Sequence, residues 1–412
     1  MAVGTLKSRP DHSSSHQVVV IGAGYAGVIA TNRILSSRTL AERQSVRVTV
    51  VNPRTDFVER IRLHEVAAGT VASATFPLSD ILHQEAELVA GTAILIDPDA
   101  RVVDVERDGV IHPIPYNTLV YAVGSKSAVA VPGVRDHAVP LTGIDDADRA
   151  RHMIARLAAG SLVTVVGGGL TGVEVVTELA ERRPDLSMTL VTSGTVVAKL
   201  SDAGRRNVKR VLSWLGIEVI EGAQVESITA GRLDLADHRQ LAFDACVWTV
   251  GFTVPDLALR SGLATDAIGR LRLDATLTSI DSPHIVGAGD AIVIPDAIGR
   301  HLRMSCAAAV PLGGHAADTI LARIRGTDVK PLSLGYAGQC ISLGRHRGLM
   351  QLVHADDTPR RLIVPGPAGA WVKERVCHYT VTVMRNERRR PSAMLGFAGP
   401  STRATHEPEL SR

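Results

Sequence analysis

Short aliphatic runs alternate with glycine-rich turns and helix-like segments, and the same order occurs twice along the chain. Near-continuous runs of Val, Ile and Leu are typical of parallel strands that are buried on both faces. The first copy consists of a strand (17–21), a glycine turn (22–27), a helix to about residue 36, and strands at 46–51, 101–105, 110–114 and 118–124. This pattern predicts an α/β fold with parallel sheets.

The second copy repeats this order after residue 161. It consists of a strand (162–166), a glycine turn (167–172), a helix (173–183), and strands at 188–191, 232–235, 240–243 and 245–251. An extended run at 280–294 and a helix at about 305–324 follow. The last part, 331–412, differs from the rest because it has 12 Lys and Arg against 6 Asp and Glu. Residues 1–16 are polar and are predicted to be a disordered tail.

Composition excludes several classes of protein. Hydrophobic residues make up 45% and charged residues 21%, which is the balance of a soluble globular protein. The net charge of +3 is too small to indicate a nucleic-acid partner. No run reaches the roughly 18 to 20 apolar residues that a membrane span needs, and residues 1–16 lack the apolar segment of a signal peptide. We therefore expect a soluble, cytoplasmic protein.

The four cysteines are far apart in the sequence, at Cys246, Cys306, Cys340 and Cys377. They form no C-x-x-C pair, which excludes that form of redox-active dithiol and offers no zinc-binding spacing. We expect isolated, reduced thiols and no metal site.

Both glycine turns have the spacing G-x-G-x-x-G between a strand and a helix. The first glycine permits the sharp bend, the second lets the backbone approach a pyrophosphate, and the third lets helix and strand pack closely. The pyrophosphate then lies at the positive end of the helix. Two such turns predict two bound dinucleotides. The predicted binding residues are Gly22, Ala23, Gly24, Tyr25, Ala26 and Gly27 in the first turn, and Gly167, Gly169, Leu170, Thr171 and Gly172 in the second.

The acidic residue expected to bind an adenosine ribose after the next strand is missing from both copies. Asn52 stands there in the first copy, and its amide can hydrogen-bond a ribose hydroxyl. Thr192 and Ser193 stand there in the second copy, where no carboxylate would repel a 2′-phosphate. The basic residues at 199, 205 and 206 either pair with such a phosphate or form a solvated helix face.

Several motifs together carry a family resemblance over roughly 17–390. They are GAGYAG at 22–27, YAVGS at 121–125 followed by VPG at 131–133, GGGLTGVE at 167–174, WTVGF at 248–252, IVGAGD at 285–290 and SLGRHRG at 342–348. With these motifs the chain resembles the type II NADH dehydrogenases and the AIF-like, ferroptosis-suppressor-like NAD(P)H:quinone oxidoreductases. Both groups are glutathione-reductase-type flavoproteins.

The resemblance implies two Rossmann-type domains, with the NAD(P) domain inserted into the FAD domain, plus a small C-terminal domain. The implied division is 17–140 and 261–330 for FAD, 141–260 for NAD(P), and 331–412 for the basic C-terminal domain and tail. Asp290, after Gly289, would bind the ribityl chain of FAD; a helix cap is the alternative. Ala122, Gly124 and Gly251 would approach the cofactors. Arg60 and Arg62 would contact the pyrophosphate or the acceptor, or form surface ion pairs.

Glu174 follows the second glycine turn directly. A carboxylate in the first turn of a helix is stabilised by the helix dipole. The alternative is a catalytic role, in which Glu174 contacts the nicotinamide or the flavin edge and orients the carboxamide.

Two departures from the family pattern concern the acceptor and the membrane. The dehydrogenases carry a quinone-site segment of the kind AQPAIQQG, whereas 306–313 here reads CAAAVPLG, with Ala307 and Pro311 at glutamine positions. The dehydrogenases also attach to membranes through C-terminal amphipathic helices. Here apolar residues at 372, 376, 379 and 383 precede arginines at 385 and 388–390, so 371–390 either lies on the inner face of a membrane or packs on the protein body or a dimer partner.

The resemblance therefore implies an FAD-dependent enzyme that passes hydride from NADPH or NADH through flavin N5 to a quinone-like acceptor, without a dithiol. Alternatives are a specialised flavin oxidoreductase of small-molecule biosynthesis, a reductase for an iron–sulfur protein, and a flavin-bound redox sensor or interaction protein.

We predict that the protein accepts NADPH at least as well as NADH, because neither Thr192 nor Ser193 would repel a 2′-phosphate. Matched kcat/KM measurements with the two donors check this. A preference for NADH on the order of tenfold, about 1.4 kcal/mol, would contradict it.

Overall fold

The computed structural model describes residues 15–392 and 396–400. The strands are β1 (His16–Ile21), β2 (Val46–Asn52), β3 (Asp56–Val58), β4 (Thr75–Pro77), β5 (Glu87–Ala90), β6 (Thr92–Asp97), β7 (Val102–Arg107), β8 (Val110–Pro115), β9 (Thr118–Tyr121), β10 (Lys126–Ser127), β11 (Val139–Pro140), β12 (Leu162–Val166), β13 (Ser187–Val191), β14 (Glu218–Ile220), β15 (Val225–Thr229), β16 (Arg232–Leu235), β17 (Gln240–Ala242), β18 (Ala245–Trp248), β19 (Phe252–Thr253), β20 (Leu271–Arg272), β21 (Ile285–Gly287), β22 (Ile292–Val293), β23 (Gly338–Ser342), β24 (Gly348–Val353) and β25 (Pro359–Pro365).

The helices are α1 (Tyr25–Ser36), α2 (Leu40–Ser45), α3 (Leu63–Ala67), α4 (Val134–His137), α5 (Ile144–Ala155), α6 (Leu170–Arg182), α7 (Asp202–Trp214), α8 (Leu257–Arg260), α9 (Asp296–Gly299), α10 (Cys306–Ile324) and α11 (Gly366–Glu387). Short 3₁₀ helices lie at Arg60–Arg62 and Leu78–Asp80. No helix in the described part of the chain is long and apolar enough to cross a membrane.

Two parallel five-stranded sheets organise the chain, in the orders β21-β9-β1-β2-β5 and β11-β18-β12-β13-β14. In each sheet the strand before the glycine turn is central. Each sheet is accompanied by an antiparallel three-stranded meander, β6-β7-β8 or β15-β16-β17. The predicted α/β fold with two Rossmann-type modules is confirmed, and the internal repeat seen in the sequence is a repeat of structure.

Several predicted boundaries are wrong by a few residues. α6 begins at Leu170 and not at residue 173, and β9 ends at Tyr121 because the chain turns through Gly124 at φ +71°. β11 pairs with β18 of the second sheet, and Leu257 of α8 packs in the core of the first module. The implied division into domains stays a prediction. β1 includes His16, and residues 1–14 of the predicted tail lie outside the described residues.

The C-terminal domain is an antiparallel sheet, β23-β24-β25, followed by α11. α11 packs on this sheet and on α1 of the first module. The carboxylate of Glu387 lies 2.5 Å from Nε of Arg33, and Asn32 Nδ2 donates to the carbonyl of Met384 at 2.9 Å. Val383 is buried, and the residues at 372, 376 and 379 are partly buried. This apolar face therefore packs in part on the protein body. Contact of 371–390 with a membrane or a dimer partner stays a prediction.

Helices α1 and α10 approach each other closely at a glycine. A Cβ added at Gly313 would lie 2.2 Å from the carbonyl oxygen of Ala26 and 2.9 Å from its Cα. Ala26 belongs to the first glycine turn, so this contact fixes α10 against the backbone that is predicted to bind FAD.

We predict that Gly313→Ala lowers the free energy of unfolding by about 1 to 3 kcal/mol, because the added methyl must displace rigid backbone. Denaturant unfolding of the purified protein measures this. Gly194→Ala is the matched control, since Gly194 is exposed, has no positive φ and leaves open space for a Cβ. Equal stability of the two variants would show that the helices can separate without cost.

Candidate functional site

The two glycine turns have the geometry of dinucleotide cradles. Close approaches to backbone surround the first and third glycines: a Cβ at Gly22 would lie 2.3 Å from the oxygen of Ala122, and one at Gly27 would lie 1.8 Å from that of Gly22. A Cβ at Gly24 would instead meet nothing within 4 Å. The middle glycine thus faces open space at the amino end of α1, where backbone N–H groups can bind a pyrophosphate.

The second turn repeats this arrangement. Gly167 has φ +124° and a Cβ there would meet Oγ1 of Thr249 at 2.4 Å; one at Gly172 would meet the oxygen of Gly167 at 1.8 Å. Gly169, like Gly24, faces open space. Both cradles therefore fit a dinucleotide.

Two of the three side chains predicted to bind a ribose already have contacts within the protein. Asn52 Oδ1 accepts from the N–H of Ala23 at 3.0 Å and its Nδ2 donates to the carbonyl of Arg54 at 2.7 Å, so this amide also holds the glycine turn. Thr192 is buried against Gly168, whereas Ser193 is exposed. Ribose contacts by Asn52, Thr192 and Ser193 stay predictions.

A cavity of about 340 Å³ lies where the two modules and the C-terminal domain meet. Eleven of the predicted site residues line it, namely Gly24, Tyr25, Ala26, Arg60, Ala122, Gly124, Gly289, Asp290, Leu170, Thr171 and Glu174. The other predicted residues are outside its lining: Gly22, Ala23, Gly27, Asn52, Gly167, Gly169, Gly172, Thr192, Ser193 and Gly251. The C-terminal domain adds a wall that sequence reasoning did not include.

On the first-module side, a small polar network surrounds Asp290. Ser125 Oγ donates to Asp290 Oδ2 at 2.6 Å, and Arg60 Nη1 donates to the carbonyl of Ser125 at 2.9 Å. Asp290 precedes β22 and caps none of the helices of the described chain, so the helix-cap alternative is wrong. The remaining oxygen of Asp290 is available for a hydroxyl of a bound ligand.

Arg62 does not reach the cavity, because it is held in an ion-pair network. Its guanidinium lies 3.0 Å from both Glu59 and Glu65 and 2.5 Å from Glu374 of α11. The ion-pair alternative is therefore the one the structure has, and the pairing joins the 3₁₀ helix to the C-terminal domain.

Glu174 forms a largely buried ion pair with Lys373 of α11. Lys373 Nζ lies 2.8 Å from Glu174 Oε1, which also accepts from the N–H of Ser342 at 3.1 Å. Glu174 is the fifth residue of α6, so stabilisation in the first helical turn does not explain its position. Glu174 lines the cavity, and Lys373 rather than the helix dipole stabilises its charge.

Electrostatics keep this pair ionised. Burial by itself raises the pKa of Glu174, but Lys373, His64 and the hydrogen bond from Ser342 outweigh it, and the pKa lies below its usual value. Burial by itself lowers the pKa of Lys373, but Glu174 outweighs it and the pKa lies above its usual value. A carboxylate and an ammonium therefore face the cavity at neutral pH.

Three of the four cysteines also line the cavity, contrary to the prediction that they are isolated. Cys306 comes from α10, Cys340 from β23 and Cys377 from α11, so only the tertiary fold brings them together. All are free thiols. Burial raises the pKa of Cys306 to about 11 and that of Cys377 to about 12, so both are protonated at neutral pH. The fourth, Cys246, is buried in β18.

Comparisons with known proteins agree with this architecture. A family model described as pyridine nucleotide-disulphide oxidoreductase matches residues 16–312. An NADH dehydrogenase-like protein of Mycobacterium tuberculosis is 30% identical over 335 residues, which are 74% of this chain and 80% of that protein.

Two solved structures resemble most of the fold. The sulfide:quinone oxidoreductase of Aquifex aeolicus has a TM-score of 0.77 and 19% identity, over 92% of this chain and 93% of that one. NDH2 of Plasmodium falciparum, in complex with NADH, has a TM-score of 0.75 and 14% identity, over 90% and 98%. Members of the matched family bind FAD and NAD(P)H, the two cofactors that the cradles fit. The chain belongs to the pyridine nucleotide-disulphide oxidoreductase family and is an NAD(P)H-dependent flavoprotein oxidoreductase of the type II NADH dehydrogenase kind.

Proposed function

We propose that this enzyme transfers electrons from NAD(P)H through FAD to a quinone-like acceptor that binds in the cavity. The observation that carries the proposal is the composition of the cavity wall. It joins residues of the FAD cradle, residues that follow the second glycine turn, and residues of the C-terminal domain in one space. Donor, flavin and acceptor sites in one space are what a hydride relay requires, because the reacting groups must come into contact.

The residues have distinct roles in this scheme. FAD, when bound, supplies the chemistry that takes a hydride from the nicotinamide and delivers two electrons to the acceptor. The turn at Gly24 would hold its pyrophosphate and Asp290 its ribityl hydroxyls. Leu170, Thr171 and Glu174 lie on the wall that follows the second turn, where they would face the nicotinamide. Phe252, half exposed, covers the same side and would help to exclude water.

Glu174 and Lys373 supply charge and a hydrogen-bond donor at the cavity wall. The Lys373 ammonium can donate a hydrogen bond to an acceptor oxygen that gains negative charge, and Glu174 keeps it charged. Ala307, Ala309, Met304, Met350 and Val376 give the same region an apolar surface that suits a quinone ring.

A sulfide donor is a second candidate, because three thiols line the cavity and the Aquifex aeolicus protein is a sulfide:quinone oxidoreductase. Thiol chemistry of this kind requires a thiolate. The raised pKa values of Cys306 and Cys377 oppose thiolate formation, so NAD(P)H is the donor we favour.

We predict that NADH and NADPH each bleach the visible absorption of the FAD-loaded protein under anaerobic conditions, and that a substituted naphthoquinone restores it. Stopped-flow absorbance with NADH, NADPH and sulfide as separate donors measures this. Bleaching by sulfide alone would replace the leading proposal with the second candidate. If none of the three donors bleaches the flavin, both proposed functions are wrong.

We predict that Lys373→Met destabilises the protein by about 3 to 5 kcal/mol, because Glu174 is left buried without a counterion. The loss should be smaller in the double variant Glu174→Gln with Lys373→Met. Denaturant unfolding at pH 7.5 measures both. Lys209→Met is the control, since its pair with Glu221 lies at the surface, far more accessible than the pair of Lys373 with Glu174, and should contribute less than about 1 kcal/mol.

The loss of stability in Lys373→Met should depend on pH. Without Lys373, burial raises the pKa of Glu174 above its value in the unfolded chain, so the carboxyl contributes least destabilisation at low pH. The deficit in melting temperature relative to the wild type should therefore shrink as the pH falls from 8 to 5. A constant deficit would show that Lys373 stabilises the fold by packing alone.

A further inference from the structure

A polar cluster lies at the end of the cavity formed by the C-terminal domain. Arg303, in the segment before α10, donates from Nη1 to Gln339 Oε1 at 3.0 Å, and Arg303 and Gln339 both line the cavity. Behind them, Asp357 Oδ2 lies 2.9 Å from Arg303 Nε, and the guanidinium stacks over the ring of Tyr336 at 4.4 Å. The hydroxyl of Tyr336 also accepts from the Arg303 backbone N–H at 3.0 Å.

The side chains of this cluster are fixed by their contacts, but several of their polar atoms have no hydrogen-bond partner. Within the described residues, Arg303 Nε and Nη2, Gln339 Nε2 and Asp357 Oδ1 are buried and lack a hydrogen-bond partner. The contact between Arg303 Nε and Asp357 is short in distance without being a directed hydrogen bond. Buried donors without partners are rare because each has lost its water without replacement. Arg303 Nε faces Asp357, which leaves two unused donor atoms, Arg303 Nη2 and Gln339 Nε2, on residues that line the cavity. They indicate a ligand with an acceptor atom.

The donors of the cluster lie on a different element from the helix that forms the neighbouring wall. α10 contributes Cys306, Ala307 and Ala309 to the cavity and supplies no side-chain amide there. Gln339 comes from β23, on a different element, yet it lines the same cavity as Ala307. An amide donor is therefore present at this wall, but the C-terminal sheet provides it.

We propose that Gln339 and Arg303 bind the carbonyl oxygen of the electron acceptor and thereby determine which acceptors the enzyme uses. This inference rests on the proposed function. Two N–H donors on one oxygen favour a quinone or another conjugated ketone, because that oxygen becomes more negative as the ring takes up electrons. Asp357 and Tyr336 act as positioning residues, since they hold the Arg303 side chain from the side away from the cavity.

The test compares acceptors that do and do not present a carbonyl. Gln339→Leu removes the amide with little change in volume, and Arg303→Lys keeps a cation beside Asp357 but removes the forked donors. Steady-state assays would use a substituted naphthoquinone and, separately, ferricyanide, which has no carbonyl oxygen. Gln240→Leu, at an exposed position on β17, is the control.

We expect each cavity variant to raise the KM for the naphthoquinone on the order of tenfold, as removal of a hydrogen bond to a substrate does. The KM for ferricyanide, the rate of flavin reduction by NADH and the FAD content should remain those of the wild type. Binding of the naphthoquinone to the oxidised protein, measured by titration calorimetry, should weaken by a similar factor.

Three results would overturn the inference. One is an equal effect on naphthoquinone and ferricyanide, and another is an unchanged KM and affinity for the naphthoquinone. The third is loss of FAD or a shifted flavin spectrum, which would assign the donors to the flavin itself. If the wild type is not reduced by NAD(P)H, the proposed function fails, but the calorimetric comparison still decides whether the pair binds a quinone. If Gln339→Leu does not fold, Arg303→Lys decides in the same assays.

Discussion

The buried ion pair between Glu174 and Lys373 is the interaction on which the site depends. Glu174 belongs to the helix after the second glycine turn, whereas Lys373 belongs to the last helix of the described chain. Neither charge could remain buried alone, because the desolvation of a single ion costs more than the fold can supply. The pair therefore holds the C-terminal domain against the second module, and the cavity is the space that this contact closes. A second connection, Arg33 with Glu387, holds the same helix against the first module.

Local sequence determined the parts that were predicted correctly. Gly27 and Gly172 approach Gly22 and Gly167 of the same turn, so the glycine spacing was visible without a structure. The other close approaches, of Gly22 to Ala122 and of Gly167 to Thr249, join distant parts of the chain. The inner strands of both sheets were predicted because buried parallel strands are short apolar runs. The edge strands β5, β11 and β14 were not predicted. β11 pairs with the second sheet and α8 packs in the first core, and these assignments depend on tertiary contacts that local sequence does not show.

The C-terminal half of the site could not be predicted because its residues come from distant elements. Cys306, Cys340 and Cys377 have no meaningful spacing in sequence, yet three elements bring them to one cavity. Lys373 is one of the basic residues of 331–412, and its local sequence does not distinguish it from Arg375. The apolar face of 371–390 was identified from the sequence, but its partner was left open, because a membrane surface and a packed interface require the same apolar pattern.

At the proposed acceptor site, different elements of the same fold can supply the hydrogen-bond donors. What an acceptor oxygen requires is a donor at a point in space, and the chain can supply it from a helix or from a neighbouring strand. Here α10 has alanine and proline at these positions and supplies no amide donor. Its packing is constrained by the close contact of Gly313 with Ala26. Gln339 and Arg303 then face the same cavity from β23 and the preceding segment. The loss of a family motif in α10 therefore does not by itself remove the acceptor site, because the donors need only reach the same wall.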